Sequence, residues 1–146
     1  MNLNAPVSTI MDTDFYRISA DLCIGKAEKI MNKKGMNILA VEENGEFKGL
    51  VTNYDCQYFR QSLTRDGIEG PDESLRLKHH KVSEIMNTKL VKLLPTDDIK
   101  MASEIMKSII LQVIPVVEKR RLVGLLTPQV IRKCQQRQQR LRTSER

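Results

Sequence analysis

The chain repeats itself at a spacing of 75 residues. The segment VSTIM at residues 7–11 returns as VSEIM at residues 82–86, and this offset holds without a gap to residue 55, with 14 identical positions. A repeat of this length indicates two copies of one supersecondary unit. One copy is too small to bury both faces of a sheet, so we expect the two to pack around an approximate two-fold axis.

Each copy predicts the same order of elements, β-α-β-β-α. Short apolar runs at residues 15–18 and 90–93 predict a first strand, and apolar residues spaced by three and four predict a helix after it. Ser19 and Asp21 in the first copy, and residues 96–98 in the second, are expected to cap these helices. The fold class is therefore predicted to be α/β (α+β), built from two such repeats.

A hairpin follows the helix in the first copy. Gly35 is expected to end the helix in a left-handed conformation. Asn44 and Gly45 lie between the apolar runs 38–41 and 47–51, and Asn-Gly in that setting predicts a tight turn.

The second copy predicts the equivalent hairpin and a further helix. Residues 112–117 and 122–126 read as its strands, with the charged turn 118–121 between them. Thr127 and Pro128 then form an N-cap followed by a proline at the first helical position.

The chain is divided on this basis into four parts. They are repeat 1 (1–63), a connection (64–80), repeat 2 (81–133) and a basic C-terminal tail (134–146). The connection contains glycine and proline among charged residues and is predicted to be a surface segment. The net charge is +6, of which +5 lies in residues 131–146, so the basicity belongs to the C-terminal end of the chain, which includes the tail.

Several classes of protein are disfavoured by the composition. The three cysteines are far apart and form no metal-binding pattern, so reduced thiols in a cytoplasmic protein are expected, with no metal. The first residues show no secretory signal, and the longest apolar stretch, 109–117, is too short and too interrupted for a membrane span. No nucleophile–base pair or pair of catalytic carboxylates appears at usable spacing, so the chain is not expected to be an enzyme.

The order of these motifs resembles the CBS-domain family, named for cystathionine β-synthase. The matching lines are VSTIM…AEKIM…ILAV…GLVTNYD and VSEIM…ASEIM…IPVV…GLLTPQV, over about residues 5–140. The resemblance implies a regulatory module, commonly a homodimer, whose two repeats leave two clefts between them. Such clefts receive adenine nucleotides or adenosyl compounds, here AMP, ADP, ATP or S-adenosylmethionine, and no further cofactor is implied.

The main candidate site is the segment from Thr52 to Asp55. It lies where a strand ends and a helix begins, a position whose free N–H groups and helix dipole suit a phosphate. The same spacing also fits a capping box that binds nothing. The resemblance implies the binding role, with the Thr52 hydroxyl as a donor and the Asp55 carboxylate accepting from the two ribose hydroxyls.

The resemblance also implies the rest of each cleft. The residues expected to complete the Asp55 cleft are Thr88, Leu90, Val91, Val113 and Ile114, although the aliphatic ones also read as plain core residues. A second, weaker cleft would contain Tyr16, Ile38, Leu39 and Thr127. It is expected to be weaker because Val130 stands where the first copy has Asp55, which removes the ribose acceptor.

The leading prediction is thus a ligand-sensing module without catalysis. One alternative is a ligand-free dimerisation or protein-interaction scaffold. Another is contact with nucleic acid through the basic tail, which the lack of aromatic side chains between the tail's basic residues disfavours.

Overall fold

Each sequence repeat contributes to both structural units of the protein. The computed structural model describes residues 3–65, 71–110, 112–134 and 136. The central unit comprises Phe15–Lys89, and the terminal unit combines Met1–Asp14 with Leu90–Arg146. The opening segment of each repeat, VSTIM or VSEIM, therefore belongs to the unit that holds the body of the other repeat. This division differs from the division into sequence repeats at residues 63 and 81.

The central unit has the predicted order β-α-β-β-α in its first-repeat portion. Its elements are β1 (Arg17–Ser19), α1 (Ile24–Lys34), β2 (Ile38–Glu43), β3 (Glu46–Thr52), α2 (Asn53–Arg65) and α3 (Pro71–His79). β2 lies in the middle of the sheet, parallel to β1 and antiparallel to β3. Gly35 ends α1 with φ of 64°, and Asn44 and Gly45 form the turn with φ of 55° and 78°, which confirms both predictions.

The terminal unit lacks one strand that its sequence predicts. Its elements are α4 (Ile99–Met106), β4 (Ile114–Glu118), β5 (Arg121–Leu126) and a helix over residues 128–134, here α5. The predicted strand at 90–93 is wrong, since only Leu93 pairs there, in a single parallel bridge to Val116. In the central unit Ala40 donates its N–H to the Tyr16 carbonyl at 2.9 Å. Pro115 stands at the equivalent position and has no N–H, so the second ladder stops.

The residue that follows each opening segment forms a backbone pair with the last strand of the hairpin in its unit. In the central unit, Leu50 and Asn87 exchange both backbone hydrogen bonds, at 3.1 and 2.7 Å. In the terminal unit, Leu125 and Asp12 do the same at 2.9 Å each. These pairs are related by the 75-residue offset, so the sequence repeat is also a repeat of hydrogen bonds.

Two aliphatic cores account for the apolar pattern. Val82 anchors its opening segment in the central core and Val7 anchors the other in the terminal core, both with no exposed surface. Burying a valine side chain stabilises by about 1.5–3 kcal/mol. Two equivalent positions are fully buried in both copies: Ile24 corresponds to Ile99, and Ala27 corresponds to Ala102.

The predicted caps of α4 and α5 in the second repeat are confirmed, whereas the cap predicted for α1 in the first repeat is not found. Asp98 caps α4 by accepting from the Met101 N–H at 2.7 Å, and the Thr127 hydroxyl accepts from Val130 N–H at 3.3 Å at the start of α5. The predicted cap of α1 by Ser19 and Asp21 is wrong. α1 begins after Cys23, whose side chain makes no capping hydrogen bond, and the Ser19 hydroxyl accepts from the Asp21 N–H in the turn before it.

The connection between the repeats is more than a surface segment. Its residues 71–79 form α3, and Leu77 on this helix is buried against α1. A Cβ placed on Gly25 would lie only 3.5 Å from the Leu77 Cβ, which shows how closely the two helices approach. None of the helices in the described ranges has the length and apolar character needed to span a membrane.

The two hairpin turns have the same geometry but different residues, which predicts a stabilising change. Lys119 and Arg120 adopt φ of 51° and 66° where the first copy has Asn44 and Gly45. A left-handed conformation costs a residue with a Cβ about 1–2 kcal/mol, and Asn-Gly relieves much of it. We expect the double variant Lys119→Asn/Arg120→Gly to raise the free energy of unfolding by about 1 kcal/mol, measured by calorimetry. The reverse exchange, Asn44→Lys/Gly45→Arg, should lower the free energy of unfolding. If Lys119→Asn/Arg120→Gly also lowered it, the left-handed conformation of the second turn would be contradicted.

Candidate functional site

Thr52 and Asp55 form a reciprocal cap at the junction of β3 and α2. The Asp55 Oδ2 atom accepts from the Thr52 N–H at 2.8 Å and from the Thr52 hydroxyl at 3.0 Å. The Asp55 N–H donates in return to Thr52 Oγ1 at 3.3 Å. The capping-box reading of this motif is therefore correct as a description of its structure, and it fixes the direction of the carboxylate.

Asn87 adds a third donor to the same carboxylate oxygen. Its side-chain Nδ2 donates to Asp55 Oδ2 at 2.8 Å, across 32 residues of sequence. The backbone pairing of Asn87 with Leu50 brings this side chain to the end of β3. The sequence analysis missed Asn87. The position follows the VSEIM motif directly, but nothing in the sequence signals that it meets Asp55.

The other carboxylate oxygen stays available. Asp55 Oδ1 accepts no hydrogen bond from the described residues and is not among their buried unpaired atoms. The side-chain oxygen of Asn53, two residues earlier in the chain, is buried and has no hydrogen-bond partner. A carboxylate held through one oxygen, with the second left open, is a preorganised acceptor for a ligand hydroxyl.

The other residues predicted for the Asp55 cleft fall in both units. Thr88 belongs to the central unit and is exposed. Leu90, Val91, Val113 and Ile114 belong to the terminal unit, where Val91 is 44% exposed and Ile114 is completely buried in the core. Ile114 can therefore offer a ligand only backbone groups.

The predicted second cleft is divided in the same way. Tyr16, Ile38 and Leu39 lie in the central unit, with Ile38 paired to Thr52 and Leu39 fully buried. The Tyr16 ring is covered by the Lys34 ammonium, whose Nζ lies 4.7 Å from the ring centre. Thr127 lies in the terminal unit, where its hydroxyl caps α5 and no carboxylate stands at position 130.

Cys56, which follows Asp55 in α2, carries an unreactive thiol. Cys56 is 1% exposed, and burial raises the pKa of its thiol to about 12, with the nearby carboxylates of Glu28 and Asp55 adding to the effect against the opposing charge of Arg60. A neutral thiol is a poor nucleophile. Cys56 therefore contributes packing to the site and no covalent chemistry.

One of the two histidines, His80, makes a local contact. His80 Nδ1 lies 2.9 Å from the Glu84 carboxylate, and this hydrogen bond holds the pKa of Glu84 below its ordinary value. Among the residues that the structure describes, no group of three or more His, Cys, Asp or Glu is placed to hold a metal ion.

The two halves of the chain each match one sequence family. The CBS domain profile matches residues 7–59 and again residues 82–135. The chain belongs to the CBS-domain family. The CBS domain-containing protein YhcV of Bacillus subtilis is 28% identical over 82% of this chain and 78% of that protein. A homoserine O-acetyltransferase of Methanohalobium evestigatum is 30% identical over 86% of this chain, but the chain spans only 23% of that enzyme.

Solved structures share the fold of this CBS pair. CBSX2, crystallised with AMP, has a TM-score of 0.75 at 17% identity, covering 92% of this chain and 98% of CBSX2. The CBS domain pair of MJ0100, crystallised with 5′-methylthioadenosine and S-adenosyl-L-methionine, has a TM-score of 0.69 at 21% identity, covering 89% of this chain and 94% of that pair. At these identities the similarity establishes the α/β fold.

Proposed function

We propose that this CBS pair is a regulatory module that binds an adenine nucleotide or an adenosyl compound without converting it. The observation that carries the proposal is the Asp55 carboxylate, oriented by three donors on Oδ2 and open at Oδ1. Solved relatives of the same fold hold AMP, or 5′-methylthioadenosine and S-adenosylmethionine. These ligands share an adenosine group, whose ribose hydroxyls a carboxylate is suited to accept.

The junction also supplies groups for the rest of such a ligand. The start of α2 places the positive end of a 13-residue helix at Thr52 and Asn53. This end can favour a phosphate or, with a ligand such as S-adenosylmethionine, a carboxylate. Leu90, Val91, Val113 and Ile114 belong to the terminal unit, and their role at this site stays a prediction. The same holds for the second cleft.

Thermal unfolding with AMP, ADP, ATP and S-adenosylmethionine tests the proposal. A ligand at about 100 times its Kd stabilises the bound state by about 2.7 kcal/mol, which raises the Tm of a chain of this size by roughly 5–10 °C. We expect such a shift with at least one of the four, and we expect Asp55→Asn to remove it. Asp98→Asn is the matched control, since Asp98 also caps a helix through one carboxylate and the charge change is the same.

The outcomes separate the alternatives. A shift that survives Asp55→Asn would mean that the ligand is not held by Asp55. If none of the four ligands shifted the Tm, the ligand-free dimerisation scaffold would be favoured. Light scattering would detect the homodimer that this scaffold is expected to form. The predicted nucleic-acid contact through residues 134–146 falls almost entirely outside the described residues, and it stays a prediction.

A further inference from the structure

A second candidate site lies within the central unit and does not include Thr52 or Asp55. It is an open cavity of about 640 Å³ within the central unit, lined by α1, by Arg60 of α2 and by Leu77 and Lys78 of α3. Small-molecule sites in proteins have volumes of roughly 300–1,000 Å³. Neither Thr52 nor Asp55 lines this cavity, so it is separate from the junction described above.

The part of the cavity lining that the structure describes carries a net positive charge. Among these described residues, four basic side chains line the cavity, Lys26, Lys29, Arg60 and Lys78, against the two acids Asp21 and Glu28. Both acids are already engaged. Arg60 Nε donates to the two oxygens of Glu28 at 3.0 and 2.9 Å, and Asp21 pairs with the Lys81 ammonium at 3.3 Å.

Three of the lining lysines have no counter-ion within the part of the chain that the structure describes. No described residue forms an ion pair with Lys26, Lys29 or Lys78. Lys26 and Lys29 are three residues apart on α1 and therefore lie on one side of that helix, while Lys78 reaches the cavity from α3. Like charges that share a cavity repel one another, and an anion of matching charge removes that repulsion.

The rest of the lining fits a small molecule with an apolar portion. Leu22 and Leu77 supply apolar surface, and the Asn32 amide supplies both a donor and an acceptor. The paired Arg60 and Glu28 form a fixed wall on the side of α2. A surface of mixed polarity with three ammonium groups that form no described ion pair suits an organic molecule that carries several phosphate charges.

We infer that this cavity is a second ligand site, which binds a small polyphosphorylated molecule between α1, α2 and α3. The site would act independently of the proposed adenosine site. Occupation would bridge α1 and α3, and so would tie the connection between the repeats to the body of the central unit.

Calorimetric titration of the full chain with sodium tripolyphosphate at low ionic strength tests this inference. We expect Lys26→Gln/Lys29→Gln to weaken binding about tenfold or more, since two charge-assisted contacts are lost. The matched control is Lys33→Gln/Lys100→Gln, which removes the same charge from two exposed helical lysines outside the cavity. Thermal melts of both variants verify that each is folded.

Three results would overturn the inference. They are an absence of binding to the unmodified chain, an equal loss in both double variants, and loss of binding in Asp55→Asn. The first two would leave no specific site, and the third would place the anion at the junction of β3 and α2. The proposed adenosine function fails on a different result, an adenosine-ligand shift that Asp55→Asn does not change, so the two failures are distinguishable.

Discussion

Replacing Gly49 with alanine is expected to lower the free energy of unfolding of the central unit by about 3 kcal/mol, in the upper range for overpacking. A Cβ at this position would lie 2.5 Å from the Asn87 carbonyl oxygen and 3.3 Å from Met86 Sδ. The carbonyl belongs to the backbone of the opening segment and cannot rotate away as a side chain would. The segment would have to separate from β3, which would also withdraw the Asn87 side chain from Asp55.

Two other glycines provide the comparison. Gly124→Ala would meet Met11 Sδ and Cγ, which can rotate away, and Met11 Cβ at 2.9 Å, which cannot, so it should also destabilise but by less than Gly49→Ala, whose closest contact is a backbone carbonyl oxygen. Gly25→Ala lies in α1 and meets Leu77 Cβ at an ordinary 3.5 Å, so it should be neutral or stabilise by about 0.5–1 kcal/mol.

Urea unfolding followed by tyrosine fluorescence makes the measurement specific. The chain has no tryptophan, and its three tyrosines, Tyr16, Tyr54 and Tyr58, all lie in the central unit. Gly49→Ala should therefore move the fluorescence transition to lower urea. A transition unchanged from that of the unmodified chain would show that the opening segment does not pack on Gly49 as described.

Asp55→Ala is expected to destabilise the central unit by about 2–3 kcal/mol even without ligand. The substitution removes the acceptor of three donors: the Thr52 N–H, the Thr52 hydroxyl and the Asn87 amide. Thr52 is only 4% exposed, so water cannot readily replace the lost acceptor. Asp55→Asn keeps one acceptor oxygen and should cost about 1 kcal/mol, which makes it the better variant for ligand binding.

Val130→Ala is the matched control for this stability measurement. It occupies the equivalent position of the second repeat, where no side-chain acceptor is present, and its cost should be limited to the loss of two methyl groups. Urea unfolding followed by far-UV circular dichroism measures both variants, because Val130 lies in the terminal unit, which contains no tyrosine. If Asp55→Ala cost no more than Val130→Ala, the carboxylate would not hold the junction together.

These two predictions share one structural basis. Asn87 pairs with Leu50 next to Gly49, and its side chain reaches the Asp55 carboxylate. The orientation of the candidate ligand acceptor thus depends on a segment from the second repeat. Stability and ligand affinity should fall together when that segment is displaced.

Much of the local structure was determined by the sequence alone. The 75-residue repeat is visible directly in the sequence. The helix end at Gly35, the Asn44-Gly45 turn and the Asp98 cap were predictable because hydrogen bonds and backbone conformations within about four residues decide them. The Thr52–Asp55 cap was predictable for the same reason, since it follows from a three-residue spacing. Its binding role is implied by the family resemblance and stays a prediction.

Tertiary structure alone decided the remaining features. The VSEIM and VSTIM segments each join the body of the opposite repeat, α3 packs on α1, and Asn87 meets Asp55 across 32 residues. In the second repeat the pairing between residues 90–93 and β4 is limited to one bridge, because Pro115 has no N–H to donate to this distant segment. Such pairings depend on which distant segments the chain brings together as its cores are buried, and no pattern within a single segment records that choice.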